Sequence, residues 1–348
     1  MAKICICGGG NLGHVVAGFV AAQGKHEVCI MTQRPERWNR ELMIDTPDGK
    51  VMTGHISCIS NRPEDVIPHS DIILLCLPGY AIADCLRSIL KSLECTLNLP
   101  YVGSVVSSTG FFFEAMKILP STIPLFGFQR VPFISRVIEY GHRARLKGYK
   151  DSLNLAVEHA EHPERLRDLL ADLLQTPIQL LSSYYEASLS NSNPLLHPSR
   201  LYDLWSDWHE GITYARVPLF YEEWTEEAAQ LYIDMDNELQ ALLTQLPVRK
   251  GSIATVLDYY ESTDAASLAR KLRSIEAFKG IPAPMKRFPS RETVGGDELF
   301  VPDFQSRYFT EDFPYGLAII HRLLQEHRID APHIEKVYQW GLSLTHHM

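Results

Sequence analysis

The run Ile4-Cys5-Ile6-Cys7-Gly8-Gly9-Gly10-Asn11-Leu12-Gly13 carries a short apolar strand straight into G-x-G-x-x-G, and its reading decides the fold of the first half of the chain. Gly8 permits a tight turn, Gly10 removes the Cβ that would hold a pyrophosphate off the backbone, and Gly13 lets the next helix pack closely on the strand. Asn11 and Leu12 open that helix, so a phosphate would meet its positive end. Val15, Val16, Phe19 and Val20 follow with helical spacing. A glycine turn with no ligand is the structural alternative, but the strand before and the helix after favour a dinucleotide.

Outward from this motif, Glu27–Met31 reads as a second strand, residues 71–77 as a strand apolar from Ile72 onward and stopped by Pro78-Gly79, and residues 101–106 as another. Such uninterrupted apolar runs are typical of parallel strands buried on both faces. With helical patterns between them, as over residues 81–90, they predict an α/β Rossmann domain with a doubly wound parallel sheet. A helix over 163–174 opens on Pro163 and carries Leu166, Leu169, Leu170, Leu173 and Leu174 on one face, and residues 178–181 read as the last strand. The expected division is a dinucleotide-binding domain over 1–182 and a mainly α-helical C-terminal domain over 183–348. In the latter, Tyr232, Met235, Leu239, Leu242, Leu243 and Leu246 form one helical stripe, Leu268, Leu272 and Ile275 a second, and Leu317, Ile320 and Leu324 a third. The Pro- and Gly-rich stretch from Phe278 to Tyr308, with Lys286, Arg287 and Arg291, is too long for a plain connector. It reads as a lid or substrate loop, or as a disordered insert.

A net charge of −9 over 348 residues disfavours a nucleic-acid or anionic-membrane partner, either of which would need a basic face, and leaves room only for a local basic site. No apolar run reaches the length of a membrane span and the N-terminus has no signal-type pattern, so the expectation is a cytoplasmic protein with small-molecule partners. The seven cysteines all lie in the first hundred residues without a C-x-x-C pair. They read as buried reduced thiols, and no metal site is expected.

Three clusters carry chemistry. After the second strand, where NAD-preferring domains place an acidic residue for the ribose, the chain has Met31-Thr32-Gln33-Arg34-Pro35-Glu36-Arg37. Thr32 and Arg34 therefore suit a 2′-phosphate, which favours NADP over NAD, although Arg34 and Arg37 could equally be solvated or stack on adenine. Pro78, where the apolar strand stops, is assigned to the same cofactor site. The second cluster is Asn191-Ser-Asn193-Pro-Leu-Leu-His197-Pro198. Pro198 disfavours α conformation at the residue before it, so a helix over 184–196 is expected to finish with His197 at its negative end, where imidazolium is favoured. A core or C-capping histidine is the alternative. The third cluster, Arg307-Tyr308-Phe-Thr310-Glu311-Asp312-Phe-Pro314-Tyr315-Gly316, offers Asp312 as a helix N-cap or as a carboxylate orienting a histidine.

With the glycine motif, the second and third clusters resemble the octopine/nopaline (opine) dehydrogenase family over nearly the whole chain. The resemblance implies reductive condensation of an α-keto acid with the amino group of an amino acid by NAD(P)H. It implies His197 as catalytic acid and base, Asp312 as its carboxylate partner, and Arg307 as a contact of the cofactor pyrophosphate. Thr109 falls where some members meet the keto acid, and a glutamine would be expected there in members that take pyruvate. Arg130 and Arg136 offer cations for the keto-acid carboxylate, and Asn193 a polar group for substrate. Trp205, Asp207, Trp208 and His209 could line an amino-acid pocket, although such aromatic density more often serves packing. A 2-hydroxy-acid reductase of the ketopantoate type and a non-catalytic dinucleotide sensor remain the alternatives, and a homodimer is left open whichever reading holds.

Overall fold

Cys5, Ile6 and Cys7 are wholly buried, as an apolar strand at the centre of a sheet requires, and β1 (Lys3–Cys7) takes that central place. The computed structural model describes residues 1–96, 98–288 and 298–344, in two units, Met1–Ser190 and Asn191–Met348. In the first unit β1 is followed by α1 (Asn11–Ala22), β2 (Glu27–Met31), β3 (Glu41–Asp45), β4 (Val51–His55), β5 (Cys58–Ser60) and β6 (Ile72–Leu75). Then come α2 (Gly79–Leu93), β7 (Tyr101–Ser104), α3 (Phe111–Ile118), β8 (Leu125–Phe128), β9 (Phe133–Glu139) and β10 (Arg143–Tyr149). β11 (Leu153–Glu158), α4 (Pro163–Leu174), β12 (Ile178–Leu180) and α5 (Tyr184–Leu189) complete it.

The main sheet has the order β12-β11-β8-β7-β6-β1-β2-β5. It is parallel from β5 through β8, as expected of a Rossmann sheet, while β11 pairs antiparallel to β8 and carries β12 beside it in its own direction. Separate apolar cores cover the two faces, one containing α1 and α4 side chains and the other those of α2 and α3. Cys5, Cys29 and Cys58 lie in register across β1, β2 and β5. All seven cysteines are free thiols; Cys95 is exposed, and burial pushes the Cys29 thiol up to about 12.

A second sheet, β4-β3-β10-β9, was not expected from the sequence. It answers a packing problem, because every residue of α1 from His14 to Ala21 is buried and a helix apolar all round needs cover on both sides. The main sheet supplies one side and the second sheet the other. A Cβ on Gly54 of β4 would lie 2.6 Å from the Gly18 carbonyl oxygen of α1, so the approach is backbone to backbone.

The unit boundary falls at 190/191 rather than the expected 182. α5 belongs with the first unit because Ala187 is part of its core, Tyr184 packs on Phe112 at 5.3 Å, and Arg130 donates to the Ser190 carbonyl at 2.8 Å.

The second unit is mainly helical, as expected. It contains α6 (Asn193–Trp205), α7 (Glu226–Leu243), α8 (Val256–Tyr259) and α9 (Ala265–Ser274), then the antiparallel pair β13 (Met285–Arg287) and β14 (Phe300–Pro302). α10 (Arg307–Thr310), a π-helical turn over Phe313–Leu317, α11 (Ala318–Glu326) and α12 (Pro332–Leu344) follow. The β13–β14 ribbon lies within the Phe278–Tyr308 stretch read as a lid or insert, of which residues 289–297, with Arg291, lie outside the described residues.

One expectation is overturned here. No single helix runs over 184–196 to end at His197: α5 stops at Leu189, and α6 starts at Asn193 and continues through Pro198. A proline inside a helix costs about 3 kcal/mol, here by removing the N–H that would bond the Pro194 carbonyl. Burial of Leu195, Leu196, Leu201 and Trp205 on α6 outweighs it.

Candidate active site

The glycine cradle follows from β1 and α1. Gly8 has φ +117° and donates its N–H to the Met31 carbonyl at 3.0 Å, which turns the chain beside β2. A Cβ on Gly13 would lie 2.0 Å from the Gly8 carbonyl oxygen, so only glycine lets α1 start this close to the strand. Around Gly10 the situation is opposite, with nothing within 4 Å of its virtual Cβ, and α1 has no side-chain cap at its N-terminus. An open backbone at an uncapped helix start is a place for an anion. His14 fixes the turn from beneath: its Nδ1–H donates to the Gly10 carbonyl at 2.8 Å and its Nε2 accepts from the Gly141 N–H at 2.7 Å. Burial lowers its pKa, in keeping with that neutral form.

A cavity of about 820 Å³ opens from this turn, lined among others by Gly8, Gly9, Thr32, Arg34, Pro78 and Tyr140. Arg34 is exposed on it, and no side-chain hydrogen bond or ion pair of Arg34 is found among the described residues. Arg37 instead stacks over the Tyr140 ring at 4.7 Å. The one carboxylate in the lining, Asp84, is on α2 and pairs with Arg87 at 3.0 Å. The Asn11 side chain serves packing, its Oδ1 accepting from the Val137 N–H of β9 at 2.8 Å, and Leu12 packs against the core. Thr109 donates to the Val106 carbonyl at 2.8 Å; neither it nor Arg130 lines the cavity, and Arg136 is exposed on β9.

In the second unit the structure brings His197 and Asp312 together although 115 residues separate them. His197 Nδ1 donates to Asp312 Oδ2 at 2.7 Å, and both side chains are largely buried. Asp312 makes no capping hydrogen bond to the turn it precedes, so its carboxylate serves the histidine and not the helix. Because His197 is the fifth residue of α6, the helix-end argument made from the sequence does not apply. Orientation comes from the carboxylate instead.

Two tyrosines escaped the sequence reading. Tyr221 Oη lies 2.9 Å from His197 Nε2, the nitrogen that Asp312 leaves free, and the Tyr308 ring stands edge-on to the imidazole at 4.5 Å. Burial, above all, pushes both phenols up, with the Asp312 charge adding to the effect. Tyr308 sits in the motif already singled out, whereas Tyr221, in Leu219-Phe-Tyr-Glu-Glu-Trp224, looks like core from its apolar neighbours. Asn191 Oδ1 accepts from the Asn193 N–H at 3.3 Å at the start of α6, while Arg307 is exposed, 4.0 Å from Glu311. Trp205 is buried against Phe309, Trp208 packs edge-on to Phe304, and the His209 ring bonds the Glu210 carbonyl. Among the described residues there is no group of three or more His, Cys, Asp or Glu able to hold a metal, and no helix long and apolar enough to cross a membrane.

A Rossmann unit with an open anion cradle, joined in one chain to a helical unit holding a buried histidine–carboxylate pair, defines a nicotinamide-dinucleotide-dependent oxidoreductase. Residues 180–345 match the family model for the NAD/NADP octopine/nopaline dehydrogenase α-helical domain, and residues 3–96 that for the coenzyme F420-dependent NADP oxidoreductase. The chain is 28% identical to tauropine dehydrogenase of Arabella iricolor over 99% of its own length and 91% of that protein. It is 27% identical to opine dehydrogenase of Haliotis discus hannai, over 97% and 88% respectively. An octopine dehydrogenase structure with NADH and L-arginine superposes with a TM-score of 0.83 at 23% identity, covering 99% of this chain and 89% of that one. The helical unit thus matches the octopine/nopaline dehydrogenase family model, and the chain is similar over nearly its whole length to opine dehydrogenases, as its motifs led us to expect.

Proposed function

We propose that the chain is an opine dehydrogenase that joins the carbonyl carbon of an α-keto acid to the amino group of an amino acid and reduces the resulting imine, with NADPH preferred over NADH. The observation that carries this reading is the 2.7 Å contact of His197 with Asp312, two residues picked out of motifs 115 positions apart in the sequence. The first unit is the dinucleotide-binding part and the second the catalytic part. Gly8, Gly10 and the free N–H groups at Asn11, Leu12 and Gly13 would hold the pyrophosphate, with Arg307 as a further contact, Thr32 and Arg34 the 2′-phosphate, and Pro78 the wall beyond. When bound, the reduced nicotinamide supplies a hydride.

His197 takes a proton from the attacking amine and returns one to the departing hydroxyl, which leaves as water. Asp312 fixes the ring so that Nε2 is the nitrogen that exchanges protons. Thr109, Arg130 and Asn193 are proposed to contact substrate, the first two by exchanging their present backbone partners for a carboxylate. Overall, keto acid, ammonium, reduced cofactor and one proton become a secondary ammonium, water and oxidised cofactor.

The test is NADPH oxidation across keto acids, each alone and with amino acids. Keto acid alone should give little turnover, and adding an amine should raise it greatly. Fast reduction without amine would instead identify a 2-hydroxy-acid reductase. In fluorescence titrations NADPH should bind more tightly than NADH, and Arg34→Ala should narrow the gap by roughly tenfold, the worth of one charge-assisted contact. Equal or stronger NADH binding by the unmodified protein would remove the 2′-phosphate assignment.

A further inference from the structure

His197 has two ring nitrogens, and both are engaged within the second unit. Nδ1 is held by Asp312 at 2.7 Å, and Nε2 meets the Tyr221 hydroxyl at 2.9 Å. Any proton that His197 exchanges on the Nε2 side must therefore pass through Tyr221, or Tyr221 must leave.

Tyr221 is poorly placed to leave. It is 5% exposed and lies flat against Phe278 at 4.0 Å, with Trp224 stacked on it at 6.0 Å. The backbone on either side is pinned: Arg200, 2% exposed and one turn beyond His197 on α6, donates to the Phe220 carbonyl at 3.1 Å and to the Glu223 carbonyl at 2.7 Å. Asp203 holds that guanidinium at 2.5 Å. The Phe220 N–H donates to the Ile281 carbonyl at 2.8 Å, and the Ala283 N–H to the Pro218 carbonyl at 2.9 Å. One helix thus carries the histidine and, through Arg200, the frame of the tyrosine.

We propose that the Tyr221 hydroxyl passes the proton between His197 Nε2 and the substrate, so that the working acid–base unit is a chain of Asp312, His197 and Tyr221. The proposal rests on the opine dehydrogenase reading above. As the hydroxyl of the amine–keto acid adduct departs, the Tyr221 O–H bond breaks toward that oxygen while the Nε2–H bond breaks toward the tyrosine oxygen. Water leaves, the phenol is regenerated and the imidazole is left neutral; the amine's proton returns by the reverse path. A hydroxyl suits this position because it accepts from a protonated Nε2 and donates to a neutral one by rotation alone. Burial disfavours a free phenolate, which makes the two transfers concerted rather than stepwise. The titratable groups facing the hydroxyl are His197, Asp312, Tyr308 and Tyr260.

The experiment compares Tyr221→Phe with His197→Ala and the unmodified enzyme, using NADPH and the best keto acid and amino acid pair. The expected result is a kcat for Tyr221→Phe lower by roughly 10² or more, with NADPH affinity unchanged and a smaller solvent deuterium isotope effect on any residual turnover. If His197 acts directly, removing the hydroxyl frees Nε2, and Tyr221→Phe would stay within a few-fold of normal while His197→Ala fails; that outcome overturns the relay and leaves the activity standing. Absence of amine-dependent turnover in the unmodified enzyme would overturn the underlying reading and the relay with it. Should the phenylalanine variant not fold, 3,5-difluorotyrosine at position 221 keeps the ring and acidifies the hydroxyl. A shifted pH–rate profile then supports the relay, and an unchanged profile overturns it.

Discussion

His197→Ala and Asp312→Asn are each expected to lower kcat by roughly 10² or more, the usual contribution of a positioned acid–base group. The double variant should be little worse than the more damaging single one, because the two side chains act as a unit through one hydrogen bond. Asparagine keeps the shape of the aspartate but loses its charge and presents N–H as readily as oxygen, so the ring is no longer held with Nδ1–H toward α10 and the π turn. NADPH affinity should barely change, since neither residue is assigned to the dinucleotide. The rival role for Asp312 is a helix cap, in which asparagine would be nearly as good. The structure has no capping bond from that side chain, and steady-state kinetics of Asp312→Asn separates the two roles. Near-normal turnover would return the residue to structure and leave His197 without its partner.

Legibility followed the strength of local signals. β1, the glycine turn and α1 could be read because strand, turn and helix each leave a pattern in adjacent residues, and α4 matched its expected span because Pro163 marks its start and five leucines its face. The second sheet was missed because its strands expose alternate residues and carry charges, as in Glu41–Asp45 and Arg143–Tyr149. The signals were present in Pro47-Asp48-Gly49 between β3 and β4, and in Tyr140-Gly141 between β9 and β10, both hairpin turns. The run of buried residues in α1 also demanded a second covering layer.

The helix through Pro198 is a different kind of miss. Local rules put a boundary before the proline, and the burial of α6 overrode them, a preference that no window of a dozen residues contains. That error mattered chemically, since it placed His197 at the wrong end of a dipole. The partnership of His197 with Asp312 came from the family resemblance, because nothing in either segment points to the other. Tyr221 had no signal at all. Its role depends on which nitrogen Asp312 leaves free, and that is fixed only by tertiary structure.

The glycine turn offers the other large effect, because it separates binding from folding at neighbouring positions. A Cβ at Gly13 would sit 2.0 Å from the Gly8 carbonyl, against backbone that cannot swing aside, so Gly13→Ala must push α1 off β1. Overpacking of this kind costs typically 1–3 kcal/mol and occasionally more, and we expect about 3 kcal/mol, seen as a melting temperature lower by roughly 5–10 °C. Gly10 differs on both counts. Its φ of −85° and ψ of −173° are open to alanine, and nothing in the protein lies within 4 Å of the added methyl. Gly10→Ala should therefore melt with the unmodified protein yet bind NADPH more weakly by roughly ten- to a hundredfold, the same 1–3 kcal/mol now charged to the ligand. Thermal melting with and without NADPH, beside a fluorescence titration, reads both. Unchanged NADPH affinity in Gly10→Ala would mean that the pyrophosphate does not cross this turn. A large drop in its melting temperature would mean that the space around Gly10 belongs to the fold and not to a cofactor.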